Sequence, residues 1–536
     1  MANISLSTWT GRFKGLPRPH HRLRGLSYEW QALIVVIVGS FMVMLDATVM
    51  NIALPRIITV FNAKVDTAQF VTTGYMIALA IIMPATGYLS DTFGTKRIYL
   101  ISMALFTGGS LLCGLSWSVE SLVLFRVLQG LGGGMLSPLG MTIIFKIVPP
   151  ERRGLMAGVF GLPLLFAPVV GPTLGGYIVE YINWRFIFTL NLPIGLVGMA
   201  LGWVLLRETE RIADLHLDLP GFLLSGVGFS AVFYGLSQAP DWGWGDIRTI
   251  VLMGGGGVIL LVWIAVELTS PQPMLELRVF KNGTYALATS VNFIVTLGMF
   301  SSMLLLPLFL QNFRGLGAME TGMLMFPQAL ASGLMLPISG RLFDKIGPRP
   351  LIISGLLLLA YATWQLNGLN LTTPDAAIRS ILILRGFAMG LIMMPAMTVA
   401  MNTLPGPLVA RGSSLTNVLR QLFGAFGTAI FVTLLQTRQT YHQAMLSQTV
   451  TPDLLGPRVM LAVAQQYLMQ HGLTLAQAKA AGVLLLYEQV AMTAAVHSFE
   501  DCFIVAAVIC LFGIVPALFL RTSGVARRPA GAAPLE

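Results

Sequence analysis

The chain has 536 residues, of which 55% are hydrophobic and only 10% are charged. Soluble domains carry about 25% charged residues, so this chain lacks the polar side chains to cover a water-facing surface of its size. The composition excludes a soluble enzyme and a disordered protein, and three cysteines are too few for a disulfide scaffold. It predicts a polytopic protein embedded in a lipid bilayer.

Apolar stretches long enough to cross a bilayer recur along the whole chain. A spanning helix needs about 20 apolar residues, and fourteen windows meet that length. They are 31–53, 67–89, 98–116, 121–146, 155–179, 184–206, 219–237, 247–267, 284–310, 321–343, 350–366, 377–401, 412–435 and 500–520. The predicted fold class is therefore an all-α polytopic membrane protein with 14 transmembrane helices, and an even number places both termini on one side.

The net charge of +10 is distributed unequally between the two sides of the membrane. The side that holds the termini carries 21 Lys and Arg, whereas the opposite loops carry 9. Because basic residues accumulate in cytoplasmic loops, both termini are predicted to be cytoplasmic. The basic excess thus sets the topology, and no nucleic-acid partner is expected.

An internal repeat divides the chain. The segment 87–97 recurs 253 residues later, around Gly340 and Asp344, and Arg126 is echoed by Arg385. Secondary transporters are often built from such repeated bundles, with the substrate site at their interface. Six helices with their loops take roughly 200 residues, so about fifty remain, and these match the apolar pair at 219–237 and 247–267.

The predicted organisation follows from this offset. The chain is divided into a cytoplasmic segment 1–30, a six-helix bundle 31–206, an inserted two-helix hairpin with its loops 207–283, a second six-helix bundle 284–520 and a cytoplasmic tail 521–536. A long outward-facing loop, 436–498, is predicted to hold a pair of amphipathic helices. Lys479 and Glu488 argue against a fifteenth span there, since ionised groups at the bilayer centre are costly.

No enzyme or metal motif is found. The chain has no G-x-x-x-x-G-K-[ST] phosphate loop and no H-E-x-x-H, and its six histidines fall in termini, loops or at a span edge. No cofactor is expected, and protons are the predicted coupling ion if transport is uphill.

Asp46 is the leading candidate for proton binding, because it lies well inside the first span. An acid inside the membrane is rare and costly, which makes it a functional-site hypothesis by default. Thr48 and Asn51 share its interior-facing helical surface. The alternative is that Asp46 only pairs with a buried arginine and holds helices together.

Arg126, in the fourth span, is the arginine best placed for that pairing. A buried guanidinium must find acceptors, and switching its contact with a carboxylate would release a proton. The alternative is a fixed structural ion pair. Arg385 and Arg420 are weaker candidates, and Gln421 adds polar character beside Arg420.

Two further motifs suggest conformational roles. One motif follows the second span. It is expected to act as a clasp that closes the cytoplasmic side through charge and helix-end contacts. Its members are Gly87, Asp91, Gly94, Lys96 and Arg97, with the repeat residue Asp344. The other lies in the fifth span, whose prolines and glycines predict a kink or very close packing; its members are Pro163, Pro168, Gly171, Pro172, Gly175 and Gly176.

These motifs resemble those of the major facilitator superfamily, and within it the fourteen-helix drug:proton antiporters of the EmrB/QacA type, over essentially the whole chain. The segment 87–97 resembles the helix 2–3 motif of that family. The other matching motifs are Asp46-x-Thr48-x-x-Asn51 on helix 1, Arg126-x-x-Gln129-Gly130 on helix 4, Gly171-Pro172-x-x-Gly175-Gly176 on helix 5, and Asn417-x-x-Arg420-Gln421 with Asp501 on late helices. Two departures are Ala167, where the exporter signature often has glycine, and the lack of an acid matching Asp46 in the ninth helix.

The resemblance implies a major facilitator fold and alternating access driven by proton influx in a bacterial inner membrane. It assigns proton coupling to Asp46, Arg126 and Asp501. The implied substrates are small lipophilic, often cationic, compounds that contact Thr48, Asn51, Gln129, Asn417, Arg420 and Gln421. In a double-membraned bacterium it also implies a periplasmic adaptor and an outer-membrane channel. The alternative is a dedicated exporter of one endogenous metabolite, with an importer and a non-transporting sensor or membrane enzyme less favoured.

Overall fold

Long helices make up the protein, and no strand occurs in the part of the chain that the structure describes. This computed structural model describes residues 26–209, 211, 217–405, 408–449 and 455–520. The predicted tail 521–536 and most of the segment 1–30 lie outside these ranges. Some helical side chains within the ranges are also not described, among them those of Asn51, Pro168, Pro172 and Asp344.

Helices follow one another through both halves of the chain and the hairpin between them. The first half contains α1 (Tyr28–Phe61), α2 (Val65–Ile82), α3 (Ala85–Phe93), α4 (Thr95–Gly114), α5 (Val119–Ile147), α6 (Pro150–Phe160), α7 (Leu162–Tyr181), α8 (Phe186–Thr189) and α9 (Asn191–Leu205). The hairpin is α10 (Leu219–Trp242) and α11 (Ile247–Thr269). The second half contains α12 (Gly283–Asn312), α13 (Ala318–Ile346), α14 (Pro348–Gln365), α15 (Asp375–Asn402), α16 (Val409–Thr449), α17 (Leu455–Gln470), α18 (Leu475–Phe512) and α19 (Ile514–Leu518). Each predicted span overlaps at least one of these helices, which confirms the all-α fold class.

Polar side chains cap the N-termini of several of these apolar helices. Ser118 accepts a hydrogen bond from the backbone N–H of Ser121 at the start of α5, and the two side chains form a reciprocal capping box. Asn282 accepts from two backbone N–H groups at the start of α12. These caps satisfy N–H groups that have no partner within the helix.

Proline and glycine break two of the predicted spans. The second span bends by 54° between α2 and α3, where Pro84 cannot donate a backbone hydrogen bond. The fifth predicted span, 155–179, is divided at Gly161 into α6 and α7. The fifth span is therefore not one continuous helix, and its break lies near the N-terminal end, whereas α7 keeps the proline-rich stretch in one helix.

The helix surfaces fit a bilayer. Among the described residues, twelve helices are long and apolar enough to cross a membrane, and the bent pair α2–α3 makes a thirteenth. The remaining predicted span corresponds to α6 and the 20-residue α7. Large apolar side chains lie exposed on the outside of the bundle, including Trp117, Leu124, Trp203 and Leu261. Soluble proteins rarely expose so large an apolar surface to water, whereas the lipid of a bilayer would cover it.

The inserted hairpin connects the two halves through one of its helices. The ring of Tyr234 on α10 stacks on Phe70 of α2, at 5.7 Å between ring centroids. After the end of α10, the indole N–H of Trp244 donates to Thr433 Oγ1 of α16 at 2.8 Å. By contrast α11 packs mainly on α10, and most of its surface stays exposed.

The predicted outward loop 436–498 is largely helical and continuous with the spans. Helix α16 runs to Thr449 and α18 begins at Leu475, so the helices that contain the predicted spans 412–435 and 500–520 continue into the predicted loop. The 41 residues of α16 rise about 60 Å, twice the hydrocarbon thickness, so the helix must project beyond the membrane. Neither proline nor glycine occurs between 428 and 449 to end it. Helix α17 packs against the projecting part of α18.

Candidate functional site

A cavity of about 260 Å³ lies between the two halves of the chain. Helices α1, α2 and α5 enclose it from the first half, and α12, α15 and α16 enclose it from the second. Methionine is the commonest side chain in its wall, at positions 44, 76, 83, 141, 299, 303, 393 and 397. Three aromatic rings also line it, and Phe293 and Phe423 lie 3.9 Å apart between centroids. Flexible thioethers and rings adapt to apolar molecules of different shapes.

Asp46 lies beside this cavity, in a buried network of hydrogen bonds. Its Oδ2 accepts from Arg126 Nη1 at 2.5 Å, and its Oδ1 accepts from Gln129 Nε2 and Asn191 Nδ2, each at 2.9 Å. All four side chains are at most 1% exposed. Because three donors point at one carboxylate, the arrangement suits ionised Asp46.

Tyr75 separates this network from the cavity. The guanidinium of Arg126 lies 4.1 Å from the centroid of the Tyr75 ring, within the range of a cation–π contact. The same ring lines the cavity. Tyr75 is therefore in contact with Arg126 on one side and with the cavity on the other.

Asn191, at the start of α9, is a member of the network that the sequence reasoning missed. Its amide Nδ2 donates to Asp46 Oδ1 and to Ser110 Oγ, at 2.9 and 3.0 Å. The available signal was an amide side chain inside the predicted span 184–206. A single asparagine among apolar residues did not indicate which helix it would contact.

Of the predicted cavity residues, four line the cavity: Thr48, Asn417, Arg420 and Gln421. Gln129 does not; it belongs to the Asp46 network. The side chain of Asn51 lies outside the described residues. Arg420 Nη2 donates to Asn417 Oδ1 at 2.7 Å, and Asn417 is held in turn by its own bond to the Ser413 carbonyl at 2.9 Å.

Asp501 is not brought together with Asp46 or Arg126. It lies on α18 and accepts from His442 Nε2 of α16 at 2.8 Å, with Arg438 at 3.5 Å. His442 is 22 residues beyond Arg420 on α16, a rise of about 33 Å. No residue of α18 lines the cavity. The structure thus separates Asp501 from the other two residues predicted to couple protons.

Of the two outcomes predicted for the glycines of the fifth span, a kink or very close packing, Gly171 and Gly175 show close packing. A Cβ at Gly171 would clash with the Thr48 side chain of α1, and a Cβ at Gly175 would lie 2.9 Å from Val49 Cγ1. Gly176 faces open space. The hydroxyl of Thr48 also donates to the carbonyl of Ala167 at 3.2 Å. The side chains of Pro168 and Pro172 are not described.

The predicted cytoplasmic clasp makes contacts both within and between the halves. Asp91 accepts from Lys146 Nζ of α5 at 3.0 Å, so its charge pairs inside the first half. The contact between the halves is one of close packing, since a Cβ at Gly87 would lie 3.1 Å from Arg411 Cα of α16. The side chain of Asp344 lies outside the described residues, so the repeat partner of Asp91 stays a prediction.

Glu208 caps the helix that follows this motif, a role that sequence reasoning missed. Its carboxylate accepts from the backbone N–H of Lys96 at 3.0 Å and of Arg97 at 3.2 Å, at the start of α4. Gly94 precedes them with φ of 97°, and a Cβ there would clash with Glu208. Lys96 Nζ donates to the Trp203 carbonyl at 2.6 Å. The motif therefore fixes the start of α4 against the end of the first bundle.

Comparison with known proteins agrees with this architecture. A family model described as "Major Facilitator Superfamily" matches residues 36–428. The chain is 36% identical over 493 residues to the "Uncharacterized MFS-type transporter YhcA" of Bacillus subtilis, covering 91% of this chain and 92% of that protein. It is 31% identical over 508 residues to the "Multidrug resistance protein B homolog" of Mycobacterium tuberculosis, covering 92% and 91%.

The fold is also found among solved structures. The proton:xylose symporter XylE superposes with a TM-score of 0.55, over 92% of this chain and 96% of that one, at 16% identity. At that identity the likeness shows the arrangement of helices alone.

Proposed function

The chain belongs to the major facilitator superfamily, among the multidrug transporters of the EmrB/QacA type, and on that basis we propose that it exports lipophilic drugs in exchange for protons. It is a multi-pass membrane transporter rather than an enzyme, and a relative named for multidrug resistance supports drug efflux. Proton coupling, antiport, an inner-membrane location and cytoplasmic termini are parts of the proposal.

One observation carries the proposal: a buried carboxylate lies next to a methionine-rich cavity between the halves. Asp46 is 1% exposed, and its neighbours in sequence, Ala47 and Thr48, line that cavity. An acid placed inside an apolar bundle is costly, and proton transfer is the common reason for one.

The geometry supports exchange of drug for proton as follows. Proton binding to Asp46 removes the charge that pairs with Arg126, so the guanidinium is freer to move against Gln129, to which it already donates at 2.8 Å, and against the ring of Tyr75. Because Tyr75 lines the cavity, this movement reaches a bound drug. Alternating access moves the halves about the cavity, and the contact of Gly87 with Arg411 must open in each cycle.

Inverted vesicles loaded with acid test the proposal. Tetraphenylphosphonium, which is a cation, chloramphenicol, which is neutral, and dansylglycine, which is an anion, are added in turn, and release of internal protons is followed with a pH-sensitive dye. We expect several compounds to release protons from wild-type vesicles and none to do so from Asp46→Asn vesicles. Glu267→Gln is the matched control, because Glu267 is another buried acid, on α11, that does not line the cavity.

Two results would contradict the proposal. Proton release that survives Asp46→Asn would move the coupling site elsewhere. No release with any compound would favour the alternative, a dedicated exporter of one endogenous metabolite.

A further inference from the structure

The charge of the cavity wall indicates which lipophilic compounds fit it. Arg420 is the one charged side chain among the residues described as lining the cavity. Asp46, the nearest acid of the coupling network, is engaged by Arg126 and does not line the wall. The field inside the cavity is therefore positive, although the sequence reasoning expected cationic substrates.

The guanidinium of Arg420 has donors to spare. Its two hydrogen bonds within the described residues both come from Nη2, to Asn417 Oδ1 at 2.7 Å and to Ser137 Oγ at 3.5 Å. No carboxylate of the described residues lies within ion-pair distance of it. A guanidinium has five N–H donors in a planar fork that matches a carboxylate. Nε and Nη1 thus remain for an acceptor that the described residues do not supply.

The surroundings hold this fork in place. Asn417 is oriented by its bond from Nδ2 to the Ser413 carbonyl, so that its Oδ1 faces Arg420. Arg420 also lines a second, smaller cavity of about 50 Å³ that shares Met393 and Met397 with the main one. The positive group thus lies where two apolar spaces meet, a position that suits the polar end of an amphipathic molecule.

We propose that the cavity selects lipophilic compounds that carry a carboxylate or similar anionic oxygen group, with Arg420 as the anchoring side chain. An anion supplies the missing partner in a site of low dielectric, where the attraction is strong. A cation of the same shape meets the repulsion of Arg420, against which the aromatic rings of the wall offer weaker attraction. This inference rests on the proposed function, because it identifies the substrate class of the same cavity.

Three dansyl probes that differ in charge test the inference. Dansylglycine is anionic, dansylglycinamide is neutral and dansylethylenediamine is cationic. Binding to the purified full chain in zwitterionic nanodiscs is followed by fluorescence, with protein-free nanodiscs as the baseline. We expect the Kd of dansylglycine to be lower than that of dansylethylenediamine by a factor of about ten or more, because the anion forms a charge-assisted hydrogen bond with Arg420.

Variants at Arg420 separate anchoring from structure. Arg420→Gln should raise the Kd for dansylglycine about tenfold while leaving dansylglycinamide nearly unchanged, and Arg420→Lys should fall between, because it keeps the charge without the fork. Arg385→Gln is the matched control, since Arg385 is a buried arginine outside the cavity wall. It should leave the order of the three probes unchanged.

Three results would overturn the inference: tighter binding of the cation, an equal loss for all three probes in Arg420→Gln, or no binding of dansylglycine to the wild type. Its failure can be distinguished from failure of the proposed function. Cation preference together with proton release in vesicles would leave the drug exporter standing and remove the anion site. Anion-selective binding without proton release by any compound would leave the anion site standing and contradict the proposed proton-coupled exporter.

Discussion

Arg126 and Arg385 occupy equivalent positions in the two halves, yet their partners differ. Arg126 is paired with Asp46, whereas Arg385, which is 1% exposed, donates to the carbonyl of Gly298 at 3.3 Å and has no carboxylate partner among the described residues. Its Nε has no hydrogen-bond acceptor there. A buried guanidinium with an acid can respond to a proton, and one without an acid cannot.

Packing, in contrast, is repeated in both halves. A Cβ at Gly130 would lie 2.7 Å from the Tyr75 carbonyl, and a Cβ at Gly386, beside Arg385, would clash with the carbonyl of Gln328. Each glycine lets its helix approach a neighbour closely. Close helix contacts thus occur in both halves, whereas among the described residues a fully buried arginine paired with an acid occurs only in the first, which agrees with the missing acid in the ninth span.

The largest expected effect is the difference in stability between a variant that lacks Arg126 and one that lacks Arg385. Arg126→Gln leaves the Asp46 charge buried without its ion-pair partner, so we expect a loss of about 3–5 kcal/mol in stability together with loss of proton release. Arg385→Gln removes an unpaired buried charge and should leave stability unchanged or raise it. Thermal unfolding in nanodiscs and the vesicle assay measure both. Equal destabilisation by the two variants would show that the halves do not differ in this way.

A smaller effect is expected from closing the gaps between helices. Gly171→Ala forces a clash with Thr48 and should cost about 1–3 kcal/mol. Gly427→Ala in the second half meets Leu297 Cδ2 at 3.2 Å, a flexible contact, and should cost less. Gly176→Ala faces open space, so its midpoint of thermal unfolding should stay at the wild-type value or rise. If all three variants unfold at the same temperature, the α1–α7 contact at Gly171 is not tighter than the α12–α16 contact at Gly427.

The smallest effect is expected at Asp501. Because its partners, Arg438 and His442, lie on the part of α16 beyond the predicted span and away from the cavity, Asp501→Asn should leave proton release in the vesicle assay close to wild type. His442→Gln, which removes the closest of those partners, provides a second variant of the same pair. Loss of proton release in both would restore Asp501 to the coupling path that the family resemblance implies.

The sequence predicted the helices and identified Asp46 and Arg126 as intramembrane charges, which the structure places in contact, but it did not predict their surroundings. Asp46 and Arg126 could be identified because a charge inside an apolar span is conspicuous by itself. Asn191 could not, since an amide is only weakly unusual in such a span. The polar residues after 435 suggested a loop that holds separate amphipathic helices, whereas α16 continues unbroken to Thr449 because neither proline nor glycine occurs there.

The membrane class, the positions of the apolar spans, the repeat and the rare intramembrane charges could all be read from the amino-acid sequence. These features depend on local hydrophobicity and on the cost of removing a charge from water, which act residue by residue. The contacts of Asp46 with Arg126, 80 positions away, and with Asn191, 145 positions away, became visible only in the folded bundle. The same holds for Arg420, which lies at the cavity without an acid beside it, because such neighbours depend on which helices approach each other across the bundle.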